Sequence, residues 1–570
     1  MRSISALLVL SGAAALAACS SSPRPAGFPA GWTVGADRQP TRAPNGMVAS
    51  NSDLASQAGA EILKAGGNAV DAAVATGFAL AVSYPAAGNL GGGGFMVIHM
   101  ADGRNAALDY REIAPLAATR DMYLDAHGQL TNKSRVGPLS AGVPGAVAGM
   151  AAALARYGTM SLHDVMQPAI RLADSGFTVD SVLYRSIRAA DQKIGDYEGA
   201  AVFMPGGNPV PPGTLLRQPQ LARTLRAIAD KGPDVFYHGW IADSVAAEMK
   251  RDHGIITAKD LARYSAEWRD PIKGTYRGDT IYSMPPSSSG GVIEVEILNI
   301  LETFPTLPAF NSAMYVHDVA EAFRRAFMDR NTELGDPAFV KNPVDRLTSK
   351  AYARTLRDSI LPGRASKTPD FAKVAGEGMH TTHYSVVDSA GNAVATTTTL
   401  NSLYGAGVYV GGAGFFLNNE MDDFASDPGH PNQFGLVQGT ANAIAPGKRM
   451  LSAMSPTVVV DSTGKVLLVI GAAGGPTIIT ATTQVILNVI DHHMSLAAAM
   501  SAPRIHQQAW PDRVDYEKDG LTQAVLDSLS AMGYEMHDVG HLANANGVMR
   551  VPGGWVGMFE PRSHGGARGY

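Results

Sequence analysis

A few places in this 570-residue sequence hold residue types that do chemistry elsewhere, and most of them fail on spacing. His492-His493 supplies two imidazoles. They are adjacent, near a predicted helix end, with no Cys or acidic residue at ligand spacing, so a structural role is expected. The glycine cluster at 405–414 does not fit G-x-G-x-x-G, and the chain has neither a P-loop with its lysine nor HExxH. A G-x-S-x-G elbow is missing too. Asn132-Lys133-Ser134 is a glycosylation sequon by pattern alone. No block of like charge stands out and the net charge is −5, which gives nucleic acid no electrostatic footing.

The single cysteine is better placed. Arg2 supplies a positive n-region, and Ile4 to Leu10 with Ala13 to Ala18 form an apolar stretch too short to span a bilayer. Leu16-Ala17-Ala18-Cys19 resembles a lipobox, in which the cysteine is lipidated and becomes the mature N-terminus. The plainer reading is a secretory signal cut at an A-x-A site; the position of the only cysteine favours the lipobox. The expectation is a signal peptide at 1–18 and a lipidated N-terminus with a flexible Ser/Pro-rich tether at 19–46. The chain would be exported and held by its acyl chains on a bacterial membrane facing the periplasm, with Ser20 favouring the outer membrane. One cysteine leaves no internal disulfide.

The elements that must position any site are set by pattern. Asp53 is expected to cap a helix through Leu54, Ile62 and Leu63 that ends at Gly66-Gly67. A second helix is predicted from about Asp71 to Val82. Gly91 to Gly94 then leads into a strand, Phe95 to Met100, followed by Ala106 to Tyr110. Helices are expected at about 145–156, 162–175, 218–231 and 313–330, while 360–380 loses periodicity. The texture changes at Thr381: Thr382 to Val387, a turn at 388–392 and Ala393 to Thr399 read as a hairpin. A second hairpin is predicted at Thr457 to Val460 and Val466 to Ile470, then helices at 478–490 and 521–532. Strands flanked by helices point to layered αβ architecture. Glycine is frequent, at 62 residues, and often paired, as where backbone packs against backbone or ligand.

Several short stretches, in this order and spacing, carry a family resemblance. They are Gly66-Gly67-Asn68-Ala69-Val70-Asp71-Ala72-Ala73, Asn89 to Phe95, Asp109-Tyr110-Arg111-Glu112 and Met284-Pro285-Pro286-Ser287-Ser288-Ser289-Gly290-Gly291. Thr381-Thr382-His383-Tyr384-Ser385, Leu417 to Phe424, Met454-Ser455-Pro456-Thr457 and Gly474-Gly475 complete the set. From Ala49 onward the chain resembles the gamma-glutamyltransferase family over nearly all its mature length. The resemblance implies an α+β fold, a four-layer αββα sandwich of the N-terminal-nucleophile type, made as one precursor. Cleavage would fall between His380 and Thr381, giving a large subunit (47–380 after the tether) and a small subunit (381–570) that stay interleaved.

The same resemblance implies the site. Thr381 would be the nucleophile, because cleavage turns its amide into an α-amine that can take the hydroxyl proton. Thr399 would hydrogen-bond that amine; its plainer reading is a β-former in the run Thr396 to Thr399. Arg111 would hold the donor's α-carboxylate with a forked contact, or pair with neighbouring Glu112, and both can hold. Glu420 and Asp423 would receive the α-ammonium, with Asn401 helping. Gly474 and Gly475 would offer an oxyanion hole, or form a simple tight turn. The implied substrates are glutathione and other γ-glutamyl compounds, with water or amino acids as acceptors and no metal or organic cofactor.

The sequence departs from the family pattern in places. Ser452-Ala453 stands where two serines are frequent, so Ser452 alone would meet the carboxylate. Phe434 stands where some bacterial relatives place a lid tyrosine, in the segment Asp427 to Phe434. His380 is an uncommon residue before the cut. The rival readings are a cephalosporin or glutaryl acylase of the same superfamily, whose substrates lack the α-amino group, and a surface lipoprotein without catalysis.

Overall fold

The computed structural model describes residues 26–195, 199–368 and 381–570. The signal segment 1–18, Cys19 and His380 lie outside the described residues. Two seven-stranded antiparallel sheets stack face to face. The first has the order Gly566–Gly569, Met47–Ser50, Thr381–Val387, Ala393–Thr399, Gly93–His99, Asn105–Tyr110, Glu267–Arg269. The second runs Thr41–Ala43, Gly554–Met558, Asn544–Val551, Val466–Ala473, Thr457–Val460, Asp279–Ser283, Ile272–Tyr276. Each sheet takes strands from both sides of residue 381, so the two expected subunits share both sheets.

Helices close the outer faces. Asp53–Lys64 and Ala69–Ser83 cover the first sheet; Gly290–Glu302 and Thr477–Ile490 cover the second, with Ala313–Glu333 packed on Gly290–Glu302. The layers are therefore αββα. Strand alternation divides the buried side chains: Met96, Ile98 and Val394 join the core under the first helical layer, while Phe95, Val97, Ala393 and Ala395 face the second sheet. Both faces are buried, which is why these strands read as near-continuous apolar runs.

The hairpin expected after Thr381 forms from its first residue, and Thr381 pairs with Thr399 in register. Its turn is fixed by Asp388, whose Oδ1 accepts from the Ala390 and Asn392 amides at 2.9 and 3.0 Å. The other oxygen accepts from Ala69 N–H at 2.9 Å, tying the hairpin to the start of a covering helix. The strand is polar for a buried one, yet its groups are paired. Thr382 Oγ1 donates to Asn51 Oδ1 at 3.0 Å, and His383 bridges Thr397 Oγ1 at 2.9 Å and Ser385 Oγ at 3.0 Å. Burial pushes the His383 imidazole down to about 3, so it is a neutral strut between strands.

Two expectations are corrected here. Ser52, not Asp53, caps the first helix, accepting from Ala55 N–H at 3.4 Å, and Asp53 takes the first helical position with its charge toward Arg568. The described part of the tether is not loose. Trp32 is buried and donates from Nε1 to Ser501 O at 2.8 Å; Phe28 packs on Phe310; Thr41–Ala43 is an edge strand. A buried tryptophan and a half-buried phenylalanine stabilise the segment on the domain, which its Ser/Pro/Gly composition conceals.

Candidate active site

Thr381 opens its strand and lines a narrow cleft. The threonine is 8 % exposed, and its Oγ1 lies 3.4 Å from Thr399 Oγ1. Thr399 is oriented by the backbone two residues on: its hydroxyl accepts from Asn401 N–H at 2.7 Å, which leaves its own proton free to point at Thr381. Asn401 holds a left-handed φ of +75° and donates from Nδ2 to Asn419 O at 2.9 Å. No donor among the described residues reaches its Oδ1.

The strand carrying Thr399 runs against the glycine quartet. A Cβ on Gly92 would stand 2.1 Å from Thr399 O, so the close approach excludes any other residue there.

Across the cleft, the 3₁₀ turn Glu420–Asp423 is held by the two asparagines before it. Asn418 donates to Gly91 O and Gly142 O at 2.8 Å each and accepts from Glu420 N–H at 3.0 Å. Asn419 Oδ1 accepts from the Ser402 amide and hydroxyl. The turn aims Glu420 and Asp423 at Arg111, whose guanidinium donates to both. Arg111 is fully buried; Glu112 lies 3.8 Å from it. Burial opposes the Arg111 charge, but the carboxylates more than offset it, so the arginine is held above its ordinary range. Burial pushes all three acids up, Glu112 to about 7. Glu420 and Asp423 each accept from Arg111, which favours their charged forms. Neither Glu112 oxygen has a hydrogen-bond partner, nor does Glu420 Oε2, so the crowded acids around one guanidinium hold protons more tightly than free carboxyls do.

Ser452 lines the same cleft, with its Oγ accepting from Met454 N–H at 3.0 Å. Its neighbours are clamped by the serine run: Ser288 donates to Met454 O and Ser289 to Ser452 O, both at 2.6 Å, while Ser287 donates to Asp109 at 3.0 Å. That motif is scaffolding for the 452–454 segment. Gly475 also lines the cleft, at φ +57°, and a Cβ there would meet the Phe434 ring at 2.8 Å. Neither Gly474 nor Gly475 N–H donates a hydrogen bond among the described residues. Gly474 stands one residue back from the lining, its carbonyl taken by Thr477. Of the expected lid segment Phe434 lines the cleft, and the segment is tethered beside it: Gln433 N–H donates to Asp422 at 3.0 Å and Gln508 Nε2 to Gly435 O at 3.2 Å.

Of the expected residues, the structure thus gathers Arg111, Thr381, Thr399, Asn401, Glu420, Asp423, Ser452 and Gly475 on one cleft. One charged lining residue was missed. Arg330 is 1 % exposed in the helix Ala313–Glu333. Glu333, one helical turn on, looks like its partner in sequence but pairs with Arg346 instead. His492 of the histidine pair packs edge-on against Phe310 and Tyr315. No group of three or more metal-ligating side chains occurs among the described residues.

An αββα sandwich with a threonine at the head of an inner strand, beside a charged cleft, defines an N-terminal-nucleophile hydrolase. A family profile described as gamma-glutamyltranspeptidase matches residues 55–570, and the chain belongs to that family. The glutathione hydrolase proenzyme of Escherichia coli is 48% identical over 532 residues, covering 92% of this chain and 91% of that relative. The solved cephalosporin acylase of Bacillus halodurans superposes with a TM-score of 0.82 at 29% identity, over 94% of this chain and 97% of that one. The gamma-glutamyltranspeptidase of Helicobacter pylori gives a TM-score of 0.54 at 46% identity, over 55% of this chain and 91% of that one. The protein is a gamma-glutamyl hydrolase/transferase.

Proposed function

We propose that the chain is a precursor that cuts itself between His380 and Thr381 and then breaks the γ-glutamyl bond of glutathione-like compounds through a γ-glutamyl ester on Thr381. The observation that carries this is the charge arrangement beside Thr381: a buried guanidinium on two carboxylates, matched to the α-carboxylate and α-ammonium of an amino acid head group. A head group inserted between Arg111 and the acids exchanges one set of ion pairs for another without stripping any charge bare. Held there, the donor presents its γ-carbonyl to Thr381.

After the cut, the Thr381 α-amine accepts the hydroxyl proton as Oγ1 attacks the carbonyl, and Thr399 keeps that hydroxyl oriented. The N–H groups of Gly475 and Gly474 meet the developing oxyanion. Collapse expels an amine, which takes the proton; water or an acceptor amine then attacks the ester and frees Thr381. The test is mass spectrometry of the small fragment after quenching with a γ-glutamyl donor. The reading requires a γ-glutamyl increment on the peptide beginning at Thr381, and its absence during turnover overturns the reading.

The acylase alternative fits less well, because glutaryl substrates have no ammonium to satisfy Glu420 and Asp423. The proposal extends to anchorage of the exported protein through Cys19. Cys19→Ser should release it from membranes, and unchanged membrane association would end that part of the reading.

A further inference from the structure

Arg330 stands in the cleft as a buried arginine that no acid pairs directly, although the Asp423 charge reaches it from across the site. Its Nε donates to Ser289 Oγ at 2.9 Å and its Nη1 to Asn331 Oδ1 at 3.0 Å, both neutral acceptors. No carboxylate among the described residues lies within ion-pairing distance of it, and its Nη2 has no acceptor there. Arg111 differs in each respect, being engaged by Glu420 and Asp423. A guanidinium this buried is costly unless an anion completes it. Burial lowers its proton affinity to about 10, which still leaves it charged at neutral pH.

The place of Arg330 says which anion. Ser289 Oγ, to which it donates, itself donates to Ser452 O, and both Ser452 and Ala453 line the cleft beside Arg330. This is the wall where the head-group carboxylate is expected, and where Ala453 has no hydroxyl to offer. Charge matching agrees. Two guanidinium groups share the cleft with Glu420 and Asp423, and a zwitterionic head group adds no net charge to that set: its ammonium goes to Glu420 and Asp423, its carboxylate between Arg111 and Arg330.

We infer that Arg330 is a second arginine for the donor's α-carboxylate, resting on the γ-glutamyl reading of the cleft. It sets specificity for donors that bear that group. The test uses three anilide donors: γ-glutamyl, glutaryl (no α-amine) and 4-aminobutyryl (no α-carboxylate). Arg330→Gln should raise KM for the γ-glutamyl donor, and for any glutaryl turnover, by roughly 10- to 100-fold, the size of a lost charged hydrogen bond. It should leave 4-aminobutyryl kinetics at the wild-type level. Arg330→Lys, which keeps the charge and loses the fork, should show a smaller rise confined to the same donors, and it serves if the glutamine variant does not fold and self-cleave. Equal losses on all three donors would mean a merely structural arginine, and unchanged KM would mean no contact; either overturns the inference. Failure of the γ-glutamyl reading would show instead in the wild type, which would not turn over the γ-glutamyl donor whether or not it used the glutaryl one, and the inference would fall with it.

Discussion

Arg111→Gln is the perturbation with the most readable consequence. In the wild type the guanidinium is fully buried and donates to Glu420 and Asp423 at once. A neutral amide keeps N–H donors but brings no positive charge, leaving the two buried carboxylates uncompensated. Removing one partner of a buried ion pair typically costs about 3–5 kcal/mol. The variant can recover part of this only by binding protons. Burial already pushes both carboxyls up, and losing Arg111 raises them further. A folded pKa above the unfolded value near 4 means the folded state holds more protons. Stability is then fully present below about pH 4 and is lost as pH rises through the raised folded values. The measurement is urea unfolding of uncut Thr381→Ala precursor with and without Arg111→Gln. A deficit of about 3–5 kcal/mol at pH 8 that shrinks toward pH 5 is expected. A deficit below about 1 kcal/mol at pH 8 would refute the reasoning, as would one of equal size at both pH values.

Glu112→Gln should do the opposite to the pH profile. With its carboxyl at about 7 in the fold and near 4.5 unfolded, Glu112 costs stability as pH rises through that window, of the order of 3 kcal/mol above it; the variant should be the more stable form at pH 8 and lose that advantage below about pH 4.5, read from urea midpoints. Thr399→Val removes the acceptor of Asn401 N–H and the hydroxyl nearest Thr381; slower self-cleavage and a kcat lower by about 10- to 100-fold are expected, with Thr399→Ser close to wild type. Gly475→Ala puts a Cβ in a left-handed position and 2.8 Å from the Phe434 ring, so kcat should fall roughly tenfold or more with little change in KM. Adding Phe434→Ala should restore part of that kcat by removing the contact.

The parts of the molecule built on periodicity were legible in the sequence. Leu162–Ser175 forms over the expected span, and the Thr381 hairpin has the expected strands and turn. Cap assignments were less so: Ser52 and Asp53 are both good caps, and only the position of the first helical turn separates them. The charged cleft was legible through motif order, because Arg111, Glu420 and Asp423 lie in polar runs that break the surrounding pattern. Arg330 was hidden by its helix. His317, Asp318, Glu321, Arg324 and Arg325 on the same helix are also buried, so polarity along it does not mark an exposed face. The packing of Trp32 depends on contacts more than four hundred residues away, which no local window sees.

The most direct test of the account is the intact mass of the purified protein, wild type beside Thr381→Ala. The account predicts two fragments from the wild type, the smaller beginning at Thr381, and a single uncut chain from the variant. A folded wild type that stays whole, or a Thr381→Ala chain that is cut at the same bond, would contradict it.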